Sequence, residues 1–114
     1  MSDDGRVCLV TGAGRGIGAA VARRLSEHGH RVALCARSGD QLEAVAEILP
    51  GESLVRPVDL LADGAVDRLF TSVEDAWGPV EILVANAGAG SSAPVPRITD
   101  ADGQRMLYIN LTTP

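Results

Sequence analysis

The chain has 114 residues, 46% of them hydrophobic and 22% charged, which is enough for one core but short for a complete two-substrate enzyme. Its formal net charge of -5 at pH 7 argues against nucleic acid as a partner, because a surface that tracks a phosphate backbone needs clustered cations. No stretch approaches the length of a membrane span, and the acidic start Met1-Ser2-Asp3-Asp4-Gly5 leads into a run too short for a signal-peptide core, so a cytoplasmic protein with no membrane partner is expected.

The first apolar run, Val7-Cys8-Leu9-Val10, has the composition of a buried strand. It enters Thr11-Gly12-Ala13-Gly14-Arg15-Gly16-Ile17-Gly18, and a helical pattern leaves it, with Ile17, Ala20, Val21 and Leu25 on one face. In a strand-turn-helix of this kind Gly12 makes the tight turn, Gly16 lets a pyrophosphate approach the backbone, and Gly18 lets the helix pack close to the sheet. The free N–H groups and positive dipole end of the helix then face the phosphates, so the stretch reads as a dinucleotide site. His28 and His30 flank Gly29 at the end of this helix and suggest no ligand. Cys8 and Cys35 each sit inside an apolar strand pattern, away from any metal or C-x-x-C spacing, and read as reduced core residues.

A second strand, Arg31 to Ala36, is apolar enough to be buried on both faces. Ser38 and Gln41 form an S-x-x-Q capping box, opening a helix from Gly39 toward Leu49 with Leu42, Val45, Ala46 and Leu49 inward. Leu54 to Val58 is a weaker strand whose internal Pro57 suits a sheet edge, and Asp59-Leu60 stand at its carboxyl end. A third helix spans Asp63 to Trp77, with Val66, Leu69, Phe70, Val73 and Trp77 on one stripe. Gly78-Pro79 ends it, and Val80 to Ala85 forms a fourth strand. After a Gly-, Ser-, Ala- and Pro-rich loop from Asn86 to Arg97, Thr99 opens a fourth helix that carries Tyr108 and Asn110.

Alternating strands and helices with short connections imply an α/β fold, a Rossmann-type doubly wound parallel sheet in the order 3-2-1-4 with helices on both faces. The whole chain, 1–114, reads as the amino-terminal part of one such domain. It is incomplete by this reading, because no later strand is expected to cover the far edge of the apolar fourth strand.

The spacing of the glycines separates this turn from G-x-G-x-x-G, which would need glycine where Ile17 stands. The pattern is T-G-x-x-x-G-x-G, and with Asn86-Ala87-Gly88 after the fourth strand it resembles the short-chain dehydrogenase/reductase family. The resemblance covers Val7 to Pro114, about the first half of a family member. It implies that Thr11, Gly12, Gly16, Ile17 and Gly18 line the cofactor. Asp59, followed by Leu60 and counted with it among the cofactor-binding residues, resembles the aspartate whose carboxylate meets the adenine amino group, although an aspartate there also begins a turn. Asn86, Ala87 and Gly88 resemble the segment that steadies the sheet and borders the cofactor ribose. Ala36 occupies the position that is usually acidic in NAD users, and Arg37 follows it. Arg15, Arg37 and the Ser38 hydroxyl therefore point to a 2′-phosphate and to NADP(H), the competing reading being two solvated arginines and a helix cap.

Catalysis in the family uses an Asn, a Ser, and a Tyr with a Lys four residues on, the Lys lowering a phenol pKa that is otherwise near 10. Asn110 matches the first. The chain contains no lysine, so the Tyr-x-x-x-Lys pair cannot be assembled from it, and Tyr108 is an ordinary residue. Gly103 stands where the family is commonly aromatic.

The expectation is thus the cofactor-binding part of an NADP(H)-dependent oxidoreductase that interconverts a carbonyl and an alcohol, of the 3-oxoacyl thioester reductase kind, and inactive as 114 residues. Its partner is a small carbonyl or alcohol substrate, no metal is needed, and a homo-oligomer is expected only of a full-length chain. The alternatives are a short non-catalytic NADP(H)-binding module completed by a partner chain, and a degraded gene product.

Overall fold

Five parallel strands carry the structure: β1 (Val7–Thr11), β2 (Arg31–Ala36), β3 (Ser53–Pro57), β4 (Ile82–Asn86) and β5 (Leu107–Leu111). Three helices connect the first four: α1 (Gly16–Glu27), α2 (Gly39–Ile48) and α3 (Ala65–Trp77). The computed structural model describes residues 5–86 and 107–111. Strand order is β3-β2-β1-β4-β5, so the 3-2-1-4 arrangement is present, with one more strand outside β4.

Alternation along the strands explains why the sheet needs helices on both sides, since successive side chains point to opposite faces. Cys8, Val10, Val32, Leu34 and Val84 face α1 and α2, where Ala22, Leu42 and Val45 close the layer. Leu9, Ala33, Cys35 and Leu83 face the other way, onto Leu69 and Val73 of α3. Burying a side chain such as Leu9 or Leu34 contributes about 1.5–3 kcal/mol each, and the central four residues of β2 are buried on both faces as its composition implied. β3, with Pro57 at its end, is an outer strand.

Two sequence expectations need correction. In α1 the fully buried residues are Gly18, Ala22 and Ser26, while Ile17 is 48% exposed and Val21 and Leu25 are only partly covered. Small residues face the sheet because α1 lies close against β1, which leaves the bulkier apolar stripe tilted outward. The second correction concerns Asn110 and Tyr108, which stand in β5 and not in a helix. Leu107–Leu111 adds to β4 in register, Ile82 opposite Leu107 and Ala85 opposite Asn110. The unpaired edge of an apolar interior strand is satisfied there by the chain itself, and tertiary pairing overrides the local helical signal. The remainder of the expected fourth helix, from Thr99, lies outside the described residues, as does the Asn86-to-Arg97 loop beyond its first residue.

Candidate functional site

The carboxyl ends of β1, β2, β3 and β4 form one rim, set by the parallel register that places Thr11 beside both Cys35 and Ala85, and Ala36 beside Pro57. At the end of β1 the chain turns at Gly12, whose φ is +64°, and the Ala13 N–H donates to the Cys35 carbonyl of β2 at 3.0 Å. A Cβ on Gly12 would stand 2.3 Å from the Asn86 carbonyl oxygen, so neither the conformation nor the space admits a side chain.

Gly18, one turn into α1, is closer still: a Cβ there would lie 2.1 Å from the Gly12 carbonyl oxygen and 2.9 Å from Asn86 Nδ2. Gly16 differs, because its φ is +64° but nothing stands within 4 Å of where a Cβ would be. The open space lies over the first turn of α1. That turn has no side-chain N-cap hydrogen bond and no acidic residue, and its N-cap residue, Arg15, is extended and exposed. Unpaired helix N–H groups beside an unobstructed glycine form a cradle that suits a pyrophosphate.

Asn86 ends β4 and ties it to the turn. Its backbone N–H donates to Thr11 Oγ1 at 3.1 Å and its Nδ2 donates to the Gly12 carbonyl at 3.3 Å. These two bonds steady the sheet at the rim of the cradle.

After β2, Arg37 is exposed and Ser38 caps α2, its Oγ accepting from the Gln41 N–H at 3.3 Å. Among the described residues neither Arg15 nor Arg37 forms an ion pair; the pairs there are Arg6 with Glu81 and Arg23 and Arg24 with Glu27. Two unpaired guanidinium groups on segments that leave adjacent strands β1 and β2 are suited to hold a phosphate. Only half of the expected capping box forms as described: the Gln41 side chain instead lies over Gly14, a contact that sequence reading missed.

At the end of β3, Val58 N–H donates to the Ala36 carbonyl at 2.8 Å, and the exposed Asp59 accepts from Leu61 N–H at 3.0 Å. Asp59 is therefore a turn former, and Leu60 packs into the α3 side of the core. Asn110, beside Ala85, lies one strand further along the rim. Ala87 and Gly88 lie outside the described residues.

The sequence model described as short chain dehydrogenase matches residues 6–114. The chain belongs to that family. Among its relatives is the 3-oxoacyl-[acyl-carrier-protein] reductase MabA of Mycobacterium tuberculosis (strain ATCC 25618 / H37Rv), 39% identical over 107 residues, a match covering 94% of this chain and 40% of the reductase. The chain thus spans about two fifths of the length of the curated relative it matches.

Solved structures agree on the fold. A metagenomic short-chain oxidoreductase in complex with NADP superposes with a TM-score of 0.71 at 43% identity, over 75% of this chain and 40% of that one. A 3-ketoacyl-(acyl-carrier-protein) reductase from Brucella melitensis complexed with NADH gives 0.72 at 34% identity, over 80% and 38%. The likeness accounts for a Rossmann-type sheet with the glycine turn at the amino end of α1. Because those two proteins hold different dinucleotides, membership of the short-chain dehydrogenases does not choose between them; the residues after β2 must.

Proposed function

We infer that these residues are the amino-terminal, cofactor-binding part of an NADP(H)-dependent short-chain oxidoreductase that interconverts a carbonyl and an alcohol. The observation that carries this reading is the pair of cations, Arg15 and Arg37, at the α1 cradle and the end of β2, neither of them ion-paired among the described residues, with Ala36 where an acidic residue would otherwise receive ribose hydroxyls. Gly12 and Gly18 bring α1 against the sheet, the first-turn N–H groups take the pyrophosphate, and Asn86 holds the turn in place. Asp59 and Leu60 border the adenine, Thr11 and Ile17 line the remaining wall, and Ser38 adds a hydroxyl to the phosphate; the resemblance adds Ala87 and Gly88, outside the described residues, to the cofactor-binding set. Bound there, the dinucleotide supplies hydride chemistry at its nicotinamide.

The likeness to MabA supports a 3-oxoacyl thioester as the substrate class of the parent protein. Turnover in that reading needs the Ser and the Tyr-x-x-x-Lys that are not among these 114 residues, so the chain binds without reducing anything. Asn110 is the one member of the proton relay it contributes. Direct titration tests the reading. NADPH binds at least about ten-fold tighter than NADH, a difference of about 1.4 kcal/mol, and Arg37→Asp removes that advantage. A preference for NADH overturns the assignment, and NADPH-dependent carbonyl reduction by the purified chain overturns the claim of inactivity.

A second reading, a short non-catalytic NADP(H)-binding module completed by a partner chain, draws on the outer strand, where Leu107 is 57% and Ile109 37% exposed. A stable complex lost on Ile109→Lys while NADPH binding persists would favour it.

A further inference from the structure

We propose that Gln41 is a third polar ligand of the adenosine 2′-phosphate, occupying from α2 the place that a side chain at position 14 would otherwise fill. The inference rests on the NADP(H) reading above. It starts from an unexplained glycine: Gly14 is not among the positive-φ glycines, so its backbone does not require glycine, nor does T-G-x-x-x-G-x-G.

What the absence of a Cβ permits is an approach from outside the turn. A Cβ on Gly14 would stand 2.8 Å from Gln41 Oε1 and 3.1 Å from Gln41 Cβ, with the Ala36 Cβ at 3.7 Å. The side chain of Gln41 therefore lies across the middle of the glycine turn, 27 positions away in sequence. Its base is anchored, because the Gln41 N–H donates to Ser38 Oγ at 3.3 Å. The residue is otherwise exposed, so burial does not explain where its carboxamide sits.

That location joins the two halves of the phosphate site. Gly14 immediately precedes Arg15, and Ser38 immediately follows Arg37, so the Gln41 side chain, anchored at Ser38, reaches from the segment that follows one arginine to the residue that precedes the other. A carboxamide offers both donor and acceptor, and a rotation about its last torsion exchanges them. Presented to a phosphate, the Nε2 group donates, adding a fixed direction to the charge that the arginines provide. A carboxylate of the same shape would repel the ligand, which makes glutamine and not glutamate the fitting residue here.

The test is calorimetric titration of the chain with adenosine 2′,5′-bisphosphate and with adenosine 5′-diphosphate, which differ in the 2′-phosphate. Gln41→Ala weakens the bisphosphate about ten-fold, the scale of one hydrogen bond to a charged group, and changes the diphosphate by less than about two-fold. Gln41→Glu weakens the bisphosphate further at the same fold stability. Gly14→Ala, which displaces the carboxamide, gives the same selective loss. If the Gln41 variants alter both ligands equally, or neither, while Arg37→Ala still abolishes the preference for the bisphosphate, Gln41 is not a ligand and the NADP(H) reading survives. A wild-type chain with no preference for the bisphosphate overturns both.

Discussion

Asn86 and Gly12 are joined across 74 positions of sequence by a hydrogen bond from Asn86 Nδ2 to the Gly12 carbonyl, 3.3 Å long. The same carbonyl oxygen is the atom that a Cβ on Gly18 would strike, at 2.1 Å. One backbone group thus fixes how β4, the glycine turn and the first turn of α1 sit together.

Removing the amide leaves that carbonyl short of a partner in a partly buried place. Asn86→Ala costs about 1–3 kcal/mol of stability, and Asn86→Asp costs more because an acceptor then faces an acceptor. Chemical denaturation of the variants measures this, and equal midpoints for wild type and Asn86→Asp would show that the bond carries nothing. Cofactor affinity falls in parallel, since the turn loosens.

Gly16 and Gly18 separate binding from folding. Gly18→Ala drives a methyl group into the Gly12 carbonyl and sits at the upper end of overpacking costs, about 3 kcal/mol. Gly16→Ala meets open space and pays only for its positive φ, about 1–2 kcal/mol, yet fills the cradle proposed for the pyrophosphate. Gly16→Ala should therefore melt closer to wild type than Gly18→Ala while losing NADPH binding. Retained binding by Gly16→Ala would place the phosphates elsewhere.

Ser38 serves α2 as a cap and, in the proposed site, the phosphate as a hydroxyl. Ser38→Asp preserves the cap, because aspartate accepts from the Gln41 N–H as well as serine does, and adds a charge that repels a phosphate. Thermal stability stays within about 0.5 kcal/mol while NADPH binding drops at least about ten-fold. Ser38→Ala loses the cap itself, for about 1 kcal/mol. Unchanged NADPH affinity in Ser38→Asp would remove Ser38 from the phosphate site.

Both thiols are held protonated by the core. Burial pushes Cys35 from 9.0 up to about 12. Cys8 rises from 9.0 to about 12 chiefly through burial, with Glu81 adding to the rise and Arg6 opposing it. Above pH 9 the unfolded chain ionises first and binds fewer protons than the folded one, so stability is complete below that point and falls as pH rises toward 12. Denaturant midpoints at about pH 8 and about pH 10.5 read the loss, which the double variant Cys8→Ala, Cys35→Ala should flatten. A thiol reagent that labels the native chain rapidly at pH 8 would contradict the buried placement.

The first four strands and three helices were legible because each rests on local chemistry. Apolar runs of strand length, a helical period, Pro50-Gly51 and Gly78-Pro79 as stops, and Ser38 as a cap all act over a few residues, and right-handed crossovers then leave little freedom in strand order. The glycine turn was legible for the same reason. Leu107–Leu111 was not, since its neighbours read as helix and only the open edge of β4 makes a strand of it. The buried stripe of α1 was misplaced because closeness to the sheet, and not hydrophobicity alone, decides which face turns inward.

By itself the sequence determined the α/β class, the position of the glycine turn and the cations beside it, all of which are encoded in short spacings. Tertiary structure alone decided that Asn86 braces Gly12, that β5 closes β4, and that Gln41 crosses Gly14. These depend on the distance between groups far apart in the chain, and that distance exists only once the helices have packed.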